Sequence, residues 1–374
     1  MKNNLKVLSV LPVLGQPRYS KRISMLQDLG FNIEVVTFER DYHKGRLPNC
    51  NIKSLGKLSH GKYLQRIFKL IKALPILRNA IKKNDIVYAS GPDMAYLSLF
   101  AGIGLSKPVI LEIGDIREIQ VVKGLFGDLV RIVDKYLVQK CSLIVSTTPA
   151  FIEEYYKKCL NVKIPFLILE NKLEKTNEEK VFKNTTNKMR IGYFGLLRSL
   201  WSWEVLKNLA ILNPNNVEII LAGYPINPKS IIEDSNAINN IMYLGEYKSP
   251  NDLSKLYGEV DLIWAVYPDP EVVEKKQRWS QLASRSNRFY ESCYFKTPLI
   301  SLINSADGIE VNKYNIGLLI NNQNINDVIN KIEQINYKDI NYWKTNMENI
   351  PKEVFVYTTE MKYLKKAILL ITGK

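Results

Sequence analysis

The chain has 374 residues, 46% of them hydrophobic, and 52 Lys and Arg against 37 Asp and Glu give it a formal charge of +15. That length suggests two domains of roughly 150 residues or more each, with cores large enough to need no disulfide staples. Four scattered cysteines, Cys50, Cys141, Cys159 and Cys293, form no C-x-x-C pair. They argue against a disulfide framework or zinc site and for free thiols in a reducing compartment.

The opening MKNNLKVLSVLPVLG reads as a first buried strand, not a signal peptide. Its apolar run is short, Pro12 interrupts it, and no small-residue cleavage site follows. No apolar run reaches the about 18 residues that a membrane span requires. Apolar, β-branched runs at 6–12, 33–38, 85–90, 108–113, 143–148 and 166–170 predict strands. Helical patterns such as 20–30 and 127–141 separate them. Fully apolar strands alternating with helices predict a parallel sheet covered on both faces.

The charge is uneven. Residues 1–180 hold 29 basic and 17 acidic residues, and residues 42–84 hold 11 basic and none acidic. Within that stretch Leu64, Ile67, Phe68, Ile71 and Leu74 make one apolar stripe, with Lys62, Arg66, Lys69 and Lys72 off it. Two readings compete: a surface helix packed on the sheet, and an interfacial helix lying on anionic lipid. The missing acids favour the lipid-facing reading. No nucleic-acid module accompanies the charge, so nucleic acid is not an expected partner.

Residues 171–188 are polar and nearly free of large apolar side chains, which predicts a linker. A second alternation follows, with strands expected at 189–194, 217–223, 241–245, 261–267, 298–303 and 316–320. Two doubly wound α/β halves result: 1–180 and 181–354, with a terminal helix over 355–374 that either packs back on the first half or ends the second.

Familiar chemistries find little support. The only histidines, His43 and His60, have no partner at metal-ligand spacing. There is no G-x-x-x-x-G-K-[ST] loop and no G-x-G-x-x-G after the first strand. Two places do carry signal. In RIGYFGLLRSLWSWEVL (190–206) a strand is expected to end at Phe194, turn at Gly195 and open a helix near Trp201. Gly195 lets backbone amides approach an anion, the helix N-terminus adds partial positive charge, and Arg198 supplies a guanidinium shaped for phosphate. In NRFYESCYFKTPLIS (287–301) a helical turn carries Glu291, a Lys-Thr-Pro break follows, and an apolar strand begins.

Together, in this order and spacing, these stretches resemble the retaining, nucleotide-sugar-dependent glycosyltransferases of the GT-B fold, family-4-like. LAGYP (221–225), YLGEYKSPNDLSKLYGEVDLIW (243–264), GQPRYSKRISMLQDLGFNIEVVTF (15–38) and EIGDIREI (112–119) extend the resemblance over nearly the whole chain. It implies two Rossmann-like domains flanking a cleft, the acceptor on the first and a UDP- or GDP-linked sugar on the second. It implies a donor site of Gly195, Arg198, Gly223, Asn287, Arg288, Tyr290 and Glu291. Glu291 would hold the ribose, Arg198 the leaving diphosphate, and Asp115 would face the acceptor, with no metal required. Asp261 is expected to be structural. A lipid-linked or oligosaccharide acceptor, of capsule or O-antigen type, would place the chain in the cytoplasm on the inner face of the plasma membrane. Two departures stand out. A Lys expected after Arg198 is replaced by Leu200-Trp201-Ser202-Trp203, leaving Arg278, Arg285 and Arg288 as substitutes. A first Glu, eight residues before Glu291, is Ala283, with Glu271, Glu274, Arg278 and Trp279 nearby. A sugar-nucleotide 2-epimerase-like isomerase and a non-catalytic partner protein are the alternatives.

Overall fold

The computed structural model describes residues 5–39, 49–57, 63–174, 187–267, 283–320 and 324–373. His43, His60, Lys62, Glu271, Glu274, Arg278 and Trp279 lie outside those residues, as do the side chains of residues 63–67, Arg66 among them. The chain divides into two compact units, residues 1–171 with 358–374, and residues 172–357.

The first unit is built on a seven-stranded sheet in the order β3-β2-β1-β4-β5-β6-β7. Its strands are β1 (Lys6–Leu11), β2 (Asn32–Glu39), β3 (Asn51–Lys57), β4 (Ile86–Ser90), β5 (Val109–Ile113), β6 (Leu143–Ser146) and β7 (Phe166–Ile168). Every neighbouring pair is parallel. β4, β5 and β6 are buried along their whole length, so their sequences are continuous apolar runs without alternation. The order reverses beside β1, which puts a topological switch point between β1 and β4.

The sequence reading missed β3. Its residues, NIKSLGK, are mostly exposed, and only Leu55 is buried. An edge strand shows one hydrogen-bonding side to solvent and packs little, so no apolar run announces it.

The second unit has a six-stranded parallel sheet, order β10-β9-β8-β11-β12-β13. Its strands are β8 (Met189–Leu197), β9 (Val217–Pro225), β10 (Ile241–Tyr243), β11 (Leu262–Ala265), β12 (Leu299–Leu302) and β13 (Gly317–Ile320). Side chains alternate between two separate cores. Ile191, Tyr193, Ile219, Leu221, Leu262 and Trp264 enter one with Trp203 and Leu206. Phe194, Ile220, Ala222, Ile263 and Ala265 enter the other with Phe289 and Tyr290. A period of two with both faces covered is the signature of a doubly wound sheet. Its switch point lies between β8 and β11. The Asp261 carboxylate accepts a hydrogen bond from the Arg190 amide at 3.0 Å and so fixes the entry to β11.

The terminal helix Glu360–Thr372 belongs to the first unit. Leu364 and Ile368 are fully buried, and Lys365 donates to the Leu29 carbonyl at 2.7 Å. All four cysteines are free thiols.

Candidate functional site

In a doubly wound sheet, ligands bind beyond the carboxyl ends of the strands at the switch point. In the second unit the ends of β8 and β9 are opened there by a facing pair of glycines. β8 does not end at Phe194; it continues to Leu197, paired with β9 in the register Gly195↔Gly223 and Leu197↔Pro225. Gly195 (φ +103) is therefore a strand residue in a conformation that L side chains rarely adopt. Gly223 (φ +125) lies directly across from it, and a Cβ there would sit 1.9 Å from the Gly195 carbonyl oxygen. The Gly223 amide in turn donates to the Gly245 carbonyl at 2.8 Å. Three glycines thus line up across β8, β9 and the end of β10. The helix Leu200–Leu212 follows, capped by Ser199, whose hydroxyl accepts from the Ser202 amide at 3.0 Å.

The guanidinium that fills the groove of bare backbone is Arg288. A Cβ on Gly195 would fall 1.7 Å from Arg288 Nη2. Nη2 donates to the Tyr247 hydroxyl at 3.3 Å, and Nε is buried with no partner among the described residues. Burial works against the Arg288 charge. Tyr247, Tyr267, Glu291 and Tyr257 more than offset it and hold the proton more firmly than water does.

Arg288 and Glu291 share the helix Asn287–Phe295, which Lys296 ends in the left-handed conformation. Glu291 is 4% exposed and accepts a hydrogen bond from the Tyr257 hydroxyl at 2.8 Å. Tyr257 is itself clamped, stacked on Phe295 at 5.0 Å and edge-on to Phe194 at 5.7 Å. Burial first, and then the Glu291 charge, raise its phenol well above the ordinary value. Burial likewise pushes Tyr247 up to about 12 against the pull of Arg288.

Tyr267 gathers the remaining groups. Burial raises its phenol, Arg288 and then Arg198 lower it, and Asp307 and Glu291 raise it again. All four charged groups therefore lie within electrostatic reach of one hydroxyl. Arg198 is exposed and has no hydrogen-bond or ion-pair partner among the described residues. Asp307 opens the helix Ala306–Tyr314 and accepts from the Ser286 amide at 2.8 Å, while burial pushes its carboxyl up to about 6.

Of the residues named from sequence, Gly195, Gly223, Arg288, Arg198 and Glu291 are brought together in this way. Asn287 is exposed at the start of its helix, and Tyr290 is buried in the core, edge-on to Phe289 at 5.5 Å. Arg285 pairs with Glu310 at 3.7 Å. No motif in the sequence points to Tyr247, Tyr257, Tyr267 or Asp307. Tyrosines at 247 to 267 look like core residues in sequence, and only the fold carries them to Arg288 and Glu291.

The first unit holds Asp115 on the exposed loop after β5. The buried carboxylate there is instead Glu112. It pairs with Arg22 at 3.3 Å, the two side chains being 1% and 3% exposed. Burial would raise the Glu112 carboxyl, but the guanidinium groups of Arg22 and Arg18 overcome it and hold the group below its usual range. Arg18 lies against Gly114, beside Tyr19.

The helix Tyr63–Lys83 buries Ala73, Leu77, Ala80 and Ile81, whereas Phe68 and Ile71 are exposed. The Lys69 ammonium donates to the Lys57 carbonyl of β3, and Lys72 is exposed. Among the described residues no group of three His, Cys, Asp or Glu is placed to hold a metal ion. No helix of the described residues is long and apolar enough to cross a membrane.

No protein-family model matches the sequence. Over 305 residues, 77% of this chain and 74% of the relative, it is 26% identical to the succinoglycan biosynthesis protein ExoL of Rhizobium meliloti. Sucrose-phosphate synthase from Thermosynechococcus elongatus superposes with a TM-score of 0.71 at 13% identity, over 98% of this chain and 99% of that one. HepE of Anabaena, solved with UDP, superposes with a TM-score of 0.66 at 13% identity, over 97% and 99%. WaaB, a lipopolysaccharide outer core galactosyltransferase, does so at 0.62 and 11% identity, over 98% and 99%. At such identities the likeness establishes the fold, which is GT-B: two α/β units, each on a parallel, doubly wound sheet.

Proposed function

We propose that the chain is a glycosyltransferase of bacterial surface-polysaccharide synthesis. It takes a sugar from a nucleotide-sugar donor held by the second unit and passes it to a lipid-linked or oligosaccharide acceptor. The observation that carries this reading is Gly195 against the Arg288 guanidinium, with Gly223 paired across from it and Arg198 and Glu291 gathered about Tyr267. Bare strand ends beside two guanidinium groups suit a diphosphate. A buried carboxylate suits the paired hydroxyls of a ribose, since an ionised carboxylate is a strong acceptor. The relative named for succinoglycan synthesis and the HepE structure with UDP support the pathway class and favour UDP over GDP.

In this scheme Glu291 grips the ribose while Tyr257 fixes its orientation. Arg288 takes the place of the absent Lys and shares the diphosphate with Arg198. Negative charge grows on the departing diphosphate as the glycosidic bond breaks, so these contacts strengthen toward the transition state and lower the barrier. The protein's own cations supply that stabilisation, so the scheme calls for no metal. Transfer proceeds with retention, and Asp115 is the acceptor-side polar group. The chain works on the cytoplasmic face of the plasma membrane, as a peripheral protein, in capsule or O-antigen assembly.

Ala283, where a sugar-contacting Glu is expected, favours a second reading: a partner protein that binds the nucleotide sugar without turning it over. Incubation with UDP-sugars, with and without lipid-linked acceptor, separates the two. Nucleotide release that requires acceptor supports the transferase. Binding without release supports the partner protein, and interconversion of the sugar without acceptor identifies an isomerase.

A further inference from the structure

The helix Leu125–Val138, LFGDLVRIVDKYLV, is turned inside out. Leu125, Phe126, Leu129, Ile132, Val133 and Tyr136 follow helical spacing and form one continuous stripe. That stripe faces away from the core: Leu125 is 90% exposed, and Phe126, Leu129, Ile132 and Tyr136 are each more than half exposed. The side packed inward holds Gly127, Asp134, Leu137 and Val138. Its carboxylate is kept there by the Gln120 amide at 2.8 Å and the Tyr155 hydroxyl at 2.6 Å. An ordinary surface helix has the opposite polarity. The stripe runs on into the short helix Glu118–Val121 through the exposed Ile119 and Val122.

The surroundings are basic. Lys123, Lys135 and Lys140 are exposed along this segment, and the Asp128 carboxylate is matched by Arg131 at 2.5 Å, leaving Glu118 as the other exposed acid. The helix packs on Pro92–Ala101, where Phe100 is exposed, and that helix packs on Tyr63–Lys83. There Phe68 and Ile71 are exposed beside Lys72, while Lys82 and Lys83 are exposed in the last turn of the same helix, and no acid occurs between residues 42 and 84.

We infer that this helix layer of the first unit docks on an anionic bilayer, with the outer stripe of Leu125–Val138 inserted at the boundary between headgroups and acyl chains. The inference rests on the peripheral-membrane part of the proposed function and names the surface that performs it. A second copy of the chain is the competing occupant, and charge decides against it. Pairing this face with itself would oppose lysine to lysine, whereas phosphate headgroups neutralise them. The stripe, 12 residues and about 18 Å long, has the apolar face and the flanking basic side chains of an interfacial helix.

The test is sedimentation of the full chain with vesicles of phosphatidylcholine containing 40% phosphatidylglycerol, and with phosphatidylcholine alone. Wild type should bind the anionic vesicles, and Phe126→Trp emission should shift to the blue on binding. The triple variant Leu125→Ser, Phe126→Ser, Ile132→Ser changes only exposed side chains, which circular dichroism will check, and should bind at least tenfold more weakly. Lys72→Gln, Lys82→Gln, Lys83→Gln should lower binding and flatten its salt dependence. Serine variants that bind like wild type overturn the inference. So does a lipid-free dimer that the serine variant dissociates in sedimentation velocity. UDP binding by calorimetry keeps the donor reading separate. A wild type that binds UDP and ignores vesicles loses the docking face alone, and one that binds vesicles but not UDP loses the donor reading alone.

Discussion

Replacing Gly195 by alanine tests the donor site through one methyl group. At φ +103 an L side chain is strained, which costs about 1–3 kcal/mol of stability. The new Cβ would also lie 1.7 Å from Arg288 Nη2 and 2.7 Å from its Cζ, far inside contact distance. The adjoining obstacle is the end of a side chain, so Arg288 gives way. It leaves the groove and its hydrogen bond to Tyr247. A charge-assisted contact to diphosphate is worth about 1.5–3 kcal/mol, so affinity should fall about ten- to a hundredfold. Gly245 is the control. Its φ of +82 imposes similar strain, but a Cβ there meets nothing within 4 Å. Urea unfolding should show comparable destabilisation for Gly195→Ala and Gly245→Ala. Calorimetry with UDP should show the loss of affinity for Gly195→Ala alone. Equal losses in both variants, or wild-type affinity in Gly195→Ala, would refute the placement of diphosphate under Arg288.

Other consequences are equally open to measurement. Glu291→Gln should weaken UDP binding about ten- to a hundredfold while leaving pyrophosphate affinity within a factor of a few, because the carboxylate serves the ribose; parallel losses for both ligands would contradict that role. Glu112→Ala strands the buried Arg22 charge and should cost about 3–5 kcal/mol in urea unfolding; a cost under 1 kcal/mol would mean Arg22 finds another partner. Burial pushes the Asp134 carboxyl up to about 6, so the folded state binds its proton more tightly than the unfolded chain. The stability this confers is fully present below about pH 4 and is lost as pH rises through 6. Asp134→Asn should therefore gain on wild type by up to about 3 kcal/mol between pH 4 and pH 8, and a constant difference across that range would exclude the effect.

Much of the architecture is legible because parallel strands buried on both faces leave unbroken apolar runs, as in IVYAS and VILEI. NIKSLGK is not legible, since an edge strand has little to bury. Periodicity finds the stripe of Leu125–Val138 but does not say which side meets the core, and here the apolar side faces out. Gly195, Arg198 and Glu291 stand out in sequence through motif order. The cage around them does not. Tyr247, Tyr257 and Asp307 reach Arg288 and Glu291 through tertiary packing of separate helices and loops, and no local pattern encodes that meeting. In the first unit, Asp115 and Glu112 are three residues apart, and only the strand geometry decides which is buried against Arg22.

Calorimetric titration of the full chain with UDP and GDP, set against uridine and guanosine, isolates what the diphosphate contributes. If the Gly195 strand end, Arg288 and Arg198 receive that group, a nucleoside diphosphate binds at least a hundredfold more tightly than its nucleoside, and Arg288→Met removes most of the gap. Equal affinity for nucleotide and nucleoside, or a gap that Arg288→Met leaves intact, would mean that this edge of the sheet holds something other than a nucleotide sugar.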